Sequence, residues 1–358
     1  MRRHHDVVIA GASFAGLAVA REVPGRAILI DPEGIGEGVT SACGAPLRLL
    51  QTVGAGASVQ QVHGHLMMHT PGREIRWPLP EPFCTFDYGA CCRAVFAATE
   101  ADVLKATVQG RDASAAVTSA GEVGGRVLVD CTGWRAALAG TDLRDGMRTG
   151  SAARTVDGGP VRYFGLEAEV PGDFSPGLHF YFWPEFTRDG YGWAFPAGRA
   201  TRIGLLSYRA RSRLGDALTQ FLRRLGMPDG PRHGGFLGGG LHPPVADGIF
   251  KVGDAAGQCL PFTGEGIRTA VWAGRVCGQL IRQALRGEIG LDDARARYGM
   301  FVARQRRRYR ALIWATSLAL VLPARILGVL AAWAAQPGPL RVFMDHYLGM
   351  FAPETSEP

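Results

Sequence analysis

The sequence predicts an α/β fold: a parallel-sheet domain, an inserted antiparallel β-sheet domain and a C-terminal helical, apolar segment. Three observations carry that reading. The β-branched run Asp6–Ala10 leads through a glycine turn into a helix and a second buried strand. Residues 150–210 have the alternating, aromatic-rich character of antiparallel strands. Seven arginines between Arg295 and Arg310 then run into Ala311–Leu340, which is apolar apart from a few polar residues and one charge, Arg325.

In order along the chain, Asp6–Ala10 is a strand, Gly11–Gly16 a tight turn, Leu17–Glu22 a helix stopped at Pro24-Gly25, and Ala27–Ile30 a buried strand ending at Asp31. This is a Rossmann-like βαβ opening. Small residues in the turn let backbone N–H groups at a helix N-terminus approach a pyrophosphate. Asp31 stands 20 residues after Gly11, where an acidic side chain meets a ribose, and Ser13 replaces the middle glycine of the usual turn. From Gly34 to Pro82 the richness in Gly, Pro and His predicts mostly loop with short strands. Tyr88–Thr99 reads as a helix, Val103–Val108, Ala115–Thr118 and Gly125–Asp130 as strands. Strands at Val161–Val170, Leu178–Trp183, Tyr191–Pro196 and Arg202–Tyr208 follow, then a helix at Asp216–Leu225. Gly234–Gly240 is glycine-rich but precedes the strand Gly248–Val252 instead of opening a helix, so it is not a second dinucleotide loop. Ile267–Arg286 is a long helix.

Length and composition narrow the function classes. With 358 residues, 47% hydrophobic and 20% charged, the chain is neither disordered nor a small disulfide scaffold. Cys43, Cys84, Cys91, Cys92, Cys131, Cys259 and Cys277 are odd in number and lack CxxC spacing, the pattern of a reduced, cytoplasmic chain. Met1–His5 runs straight into the first strand with no signal-like apolar region. The net charge of +7 is carried by arginine, the only lysines being Lys105 and Lys251. No recognition module accompanies the arginine run, which argues against nucleic acid. A basic segment abutting an apolar one suits an anionic membrane surface, although a solvated helix face is the plainer alternative. Pro323 and Arg325 split the apolar stretch into Ala311–Leu322 and Ile326–Trp333, each shorter than the roughly 20 residues a span needs. Two short helices in the interface, or capping a cavity, are expected instead. His63, His65 and His69 have spacing that suits no single helix face, so no metal site is expected.

The segment Phe250-Lys-Val-Gly-Asp-Ala-Ala-Gly257, followed by Leu260-Pro-Phe-Thr-Gly-Glu-Gly-Ile267, ends a strand at an aspartate and aims a helix N-terminus into the cleft. That dipole end suits an anionic ring. Together with Gly11–Gly16, it resembles flavoproteins of the p-hydroxybenzoate hydroxylase fold, and most of all the geranylgeranyl reductase family of FAD-dependent oxidoreductases. Ser41-Ala-Cys-Gly-Ala45 is similar to that family's cysteine-glycine turn beside the flavin. Tyr191-Gly-Trp-Ala-Phe-Pro196 is similar to its Y-x-W-x-F-P motif, and Val129–Trp134 to the strand closing its FAD domain. The resemblance covers residues 6 to about 290. The chain departs from the family pattern at Arg188, at Gly204-Leu205-Leu206, and at Tyr88, where the family carries an arginine.

The resemblance implies a Rossmann-like FAD-binding domain (1–150 and 245–290), an inserted antiparallel β-sheet substrate domain (151–244 with part of 45–85) and a C-terminal segment (291–358). It places Gly11, Ser13, Ala15 and Gly16 on the pyrophosphate and Asp31 on the adenosine ribose. Cys43 and Gly44 fall against the isoalloxazine, with Cys43 a candidate proton donor. Asp254 falls on the ribityl chain and Gly266-Ile267 at the pyrimidine edge, with Gly253, Pro261 and Gly264 also binding the cofactor. Tyr191, Trp193 and Phe195 would line the substrate cavity, unless they simply pack a sheet core. The implied activity is saturation of carbon–carbon double bonds in an isoprenoid lipid, with NAD(P)H, ferredoxin or a quinol as electron donor. The implied location is cytoplasmic, peripheral to the inner face of the cell membrane. The alternatives are a flavin monooxygenase, a redox-neutral prenyl cyclase using Glu185 or Glu265, and a flavin-bearing sensor without turnover. A halogenase is disfavoured because no lysine precedes Lys105.

Overall fold

Strand β1 (His4–Ala10), helix α1 (Phe14–Glu22) and strand β2 (Ala27–Asp31) form the expected opening unit. They belong to a computed structural model that describes residues 4–352 apart from 24, 26, 40, 141–160, 173 and 210–212. The helix stop at Pro24, the segment Met1–Arg3 and the boundary at 150 lie outside the described residues. Val7 and Ile9 enter one core with α1, whereas Val8 and Ala10 enter another on the opposite face. Burial on both faces is why the strand reads as a continuous apolar run.

After β3 (Gly44–Pro46) and α2 (Leu47–Thr52), the chain forms a long hairpin, β4 (Val59–Thr70) and β5 (Arg73–Phe86). This corrects the expectation of loop over most of 34–82. In β5 the side chains of Ile75, Trp77 and Phe83 are buried while Arg76, Pro78, Pro80 and Pro82 face out. The pairing with β4 jumps from Pro78 to Phe83 across a bulge, so two of the three prolines replace no ladder hydrogen bond. Next come α3 (Tyr88–Phe96), β6 (Asp102–Lys105), β7 (Val108–Asp112), β8 (Ala115–Thr118) and β9 (Gly121–Asp130).

The second half begins with β10 (Val161–Pro171), β11 (Leu178–Tyr181), β12 (Gly190–Ala197) and β13 (Ala200–Ser207). Helix α4 (Gly215–Arg224) and strand β14 (Arg232–Gly239) follow, then β15 (Val245–Ala246), β16 (Ile249–Lys251) and α5 (Ile267–Leu285). The chain closes with α6 (Leu291–Val321), α7 (Ala324–Ala334) and α8 (Pro337–Leu348). Strands β16, β9, β1, β2 and β6 run parallel in that order, with β15 antiparallel at one edge and β8 and β7 continuing from β9. The other sheet has the order β14-β10-β13-β12-β11-β4-β5-β3, antiparallel except where β11 meets β4.

The arginine run and Ala311–Val321 share one helix, because nothing breaks α6 before Pro323. Tyr298, Val302, Gln305, Tyr309, Leu312 and Thr316 form its buried stripe, and Arg304, Arg306, Arg307, Arg308 and Arg310 occupy the exposed faces. Arg325 does not split the tail; it sits in the first turn of α7. Helix α8 was not legible in the sequence. Among the described residues, no helix is long and apolar enough to cross a membrane.

Candidate active site

The two sheets meet around a cavity of about 680 Å³. At one end its wall is the Gly11–Ala15 turn. Gly11 takes φ +99°, and a Cβ there would lie 2.3 Å from the Cys131 carbonyl oxygen, so only glycine fits. A Cβ on Gly16 would lie 1.9 Å from the Gly11 carbonyl oxygen, so Gly16 serves the turn from behind and is not on the wall. Asp31 Oδ2 accepts from the Ala12 N–H at 2.9 Å and thereby braces the turn from the end of β2. Ser13 caps α1 without bonding its own helix, and its Oγ accepts from the Tyr88 hydroxyl at 3.1 Å. Tyr88 is thus a neighbour of the turn that sequence reasoning identified only as a substitution.

A second helix N-terminus opens on the same cavity. Gly264, Gly266 and Ile267 line it at the start of the 19-residue α5, while Pro261 is buried and not on the wall. Gly253 and Asp254 lie alongside. Asp254 Oδ2 accepts from the Gly238 N–H at 2.9 Å, and burial raises its carboxyl to about 6. The approach is close: a Cβ on Gly238 would fall 2.4 Å from the Asp254 carbonyl oxygen, which explains why this part of β14 is glycine-rich. Tyr309 of α6 holds the loop from below, its hydroxyl accepting from Gly240 N–H at 2.7 Å and lying 2.6 Å from the Cys259 carbonyl. Nothing in the arginine-rich surroundings of Tyr309 signalled that role.

Cys43 lies on the cavity wall with φ +50°, an uncommon conformation for a side chain with a Cβ. Its Sγ donates to the Ser41 carbonyl at 3.2 Å, and burial pushes the thiol well above its ordinary range, so it stays protonated at neutral pH. Gly44 sits over the Phe195 ring, 3.5 Å from where its Cβ would be. Tyr191 donates its hydroxyl to the Thr263 carbonyl, and Trp193 Nε1 donates to Glu167 Oε2 at 2.7 Å. All three motif aromatics line the cavity, joined by Leu66, Leu79, Phe83, Leu178 and Phe180. The aromatics therefore both pack the sheet and face open space.

Helix α8 covers this apolar end, with α7 packed beside it on β4 and β5. Trp77 Nε1 donates to the Ala331 carbonyl at 3.1 Å, and Leu340 and Met344 join Met68, Ile75, Trp77 and Phe83 in one core. Phe343, Met344 and Tyr347 reach the cavity, where the Tyr347 and Thr263 hydroxyls are 2.9 Å apart. Buried Arg268 grips the end of α8 through the carbonyls of Tyr347, Leu348 and Met350, and binds Glu265 at 2.9 Å. Glu265 is thereby committed to an ion pair, and Glu185 is not on the wall. His63, His65 and His69 point to separate partners, Pro196, Pro176 and His179. Among the described residues, no group of three or more His, Cys, Asp or Glu is arranged to hold a metal ion.

The residues fit a dinucleotide. Two helix N-termini face one cavity, with a glycine turn at the first and, beside the second, a buried carboxylate that receives a single backbone donor. A polyol hydroxyl donating to Asp254 would satisfy its remaining acceptor capacity.

No family model matches the chain. It is similar to digeranylgeranylglycerophospholipid reductase 2 of Methanococcoides burtonii, with 34% identity over 142 residues, 37% of this chain and 34% of the relative. The protein of the same name from Methanothermobacter thermautotrophicus is 31% identical over 156 residues, 41% of this chain and 39% of the relative. The matched region thus spans little more than a third of these curated relatives. Among solved structures, a geranylgeranyl bacteriochlorophyll reductase-like protein from Thermoplasma acidophilum superposes over 100% of this chain and 98% of its own. Its TM-score is 0.80 at 19% identity. The flavin-dependent brominase Bmp2 gives a TM-score of 0.71 at 18% identity over 99% of this chain and 96% of its own. The chain resembles the geranylgeranyl reductases in sequence, and it shares the fold of these proteins along its whole length.

Proposed function

We propose that the protein is an FAD-dependent reductase that saturates carbon–carbon double bonds of an isoprenoid, geranylgeranyl-type lipid at a membrane surface. The observation that carries this reading is the continuity of the cavity: a dinucleotide cradle at one end opens directly into an apolar, aromatic chamber. The names of the similar reductases support the choice of substrate class.

When bound and reduced, FAD supplies the electrons for alkene saturation. The chain's own residues do the rest. The Gly11–Ala15 turn and the N-terminus of α1 hold the pyrophosphate, Asp31 the adenosine ribose and Asp254 the ribityl hydroxyls. The N-terminus of α5 at Gly266-Ile267 faces the pyrimidine edge. Cys43 and Gly44 would pack against the ring, and the Cys43 thiol, held protonated by burial, would keep that wall neutral. Tyr191, Trp193, Phe195, Phe180 and Phe343 exclude water and align the prenyl chain. Helix α8 forms the roof of that chamber, with α7 packed beside it.

Trp314, Leu318, Val321, Ile326, Val329, Leu330 and Trp333 are exposed along the end of α6 and α7, next to exposed arginines. That surface would rest on an anionic membrane and give the lipid a short path into the chamber. The test is anaerobic incubation of the reduced holoprotein with geranylgeranyl lipid and mass spectrometry of the extract. The proposal expects products carrying two extra hydrogens per reduced bond; unchanged lipid with a fully reduced, flavin-loaded protein would refute it.

A further inference from the structure

Alkene saturation needs a proton as well as electrons, and an unactivated double bond is a poor acceptor unless that proton is delivered with control. A row of side chains on the cavity face of the antiparallel sheet is built to do this. Trp193 on β12, Gly204 on β13, Glu167 on β10 and His233 on β14 are register partners across four adjacent strands. Gly204 has no side chain, and a Cβ there would lie 2.2 Å from Trp193, so the indole lies flat across β13 and reaches Glu167. Glu167 is 3% exposed and lines the cavity. Its Oε2 takes the Trp193 N–H. Its Oε1 stands 3.0 Å from His233 Nε2, and neither of these two buried atoms has any other partner among the described residues. A buried carboxylate and imidazole left in this state on a cavity wall are poised for an occupant.

We propose that Glu167 and His233 share one proton and deliver it to the substrate double bond. The inference rests on the reductase reading. The alkene gains two electrons and one hydrogen from reduced flavin as reductant, and at the other carbon a C–H bond forms as the Glu167 Oε1–H bond breaks. That leaves Glu167 as a carboxylate beside a neutral His233, the shared proton spent, until a proton taken up at His233 replaces it between the two. His233, whose side chain is 21% exposed, is restored from solvent. The other titratable groups on surrounding elements include Arg202 on β13 and the uncharged Cys43 thiol, with Asp254 behind β14 and Arg135 beside Trp134. None of them stands in the row. Burial raises the Cys43 thiol and so makes it a poor proton donor.

Two measurements on the full-length protein decide the matter. In anaerobic single turnover with geranylgeranyl lipid, Glu167→Gln and His233→Asn are each expected to slow reduction about a hundredfold and flatten its pH profile. Glu167→Asp should recover part of the rate, and FAD content should remain that of the wild type. Variant rates and pH profiles equal to wild type would overturn the proposal. Because His233 is at the sheet edge, His233→Asn tests the idea even if Glu167→Gln fails to fold. If wild type itself does not reduce the lipid, the reductase reading fails on its own. The couple is then read by ¹⁵N NMR of His233 without substrate. A coupled two-step titration that collapses to one step in Glu167→Gln is expected; a His233 titration indifferent to Glu167 would refute the shared proton.

Discussion

Arg202 Nη1 donates to the Ala42 carbonyl at 3.2 Å and to the Phe86 carbonyl at 3.0 Å, so one buried guanidinium of the antiparallel sheet fastens the turn that carries Cys43. Its Nε binds Glu169, which is half exposed and can hydrate if left alone. Removing the guanidinium therefore costs chiefly the two charge-assisted bonds to backbone. Arg202→Met should lower the unfolding free energy by about 2–3 kcal/mol, read by urea denaturation, and weaken FAD retention. An unchanged midpoint would show that the turn holds itself.

Gly204→Ala places a methyl group where the Trp193 indole lies. Overpacking of this kind costs about 1–3 kcal/mol, and here it also breaks the Trp193–Glu167 hydrogen bond. The expected outcome is a lower melting temperature together with a red-shifted tryptophan emission as the indole leaves its buried site. Retention of both wild-type values would contradict the packing described for this row.

The opening βαβ unit, strands β10 to β13 of the antiparallel sheet and the turn before α5 were legible because each is fixed by local chemistry: β-branched runs, glycines at forced positive φ, a helix start after a glycine turn. The glycine-rich β14 was not. Neither was the β4–β5 hairpin. Its period of two is present in Ile75, Trp77 and Phe83, but the intervening Pro78, Pro80 and Pro82 read as breakers, and only the bulge in the pairing shows why they are tolerated. The motif residues Gly11, Cys43, Asp254 and Tyr191, singled out in the sequence, all line one cavity. Glu167, His233 and Arg202 were missed, since they matter only through cross-strand register and long-range contacts that no sequence spacing reveals.

Burial raises the Asp254 carboxyl from its ordinary 3.8 to about 6. The folded chain therefore binds this proton more tightly than the unfolded chain. Its contribution to stability is fully present below about pH 4 and is lost as pH rises through about 6. Denaturation of the flavin-free protein across this window should show wild type losing stability with rising pH relative to Asp254→Asn. Asn retains an acceptor for the Gly238 N–H but carries no titrating group. Parallel curves would mean that Asp254 is hydrated in solution. The same variant should bind FAD at least several-fold more weakly if the carboxylate takes the ribityl chain.

The exposed Trp314 and Trp333 give the membrane proposal its own test. The protein should sediment with vesicles rich in phosphatidylglycerol, less so as salt is raised, and Trp314→Ala with Trp333→Ala should reduce the bound fraction. Equal binding to neutral and anionic vesicles would remove the arginines of α6 from the account. No binding to either would remove the apolar surface as well.

The central claim is that a dinucleotide cradle and a lipid chamber share one cavity, and an anaerobic flavin spectrum tests it most directly. Reduced with dithionite and freed of excess, the holoprotein should stay bleached at about 450 nm until geranylgeranyl lipid is added, and should then recover its absorption without air. A flavin that ignores the lipid and recovers only when oxygen is admitted would contradict the account.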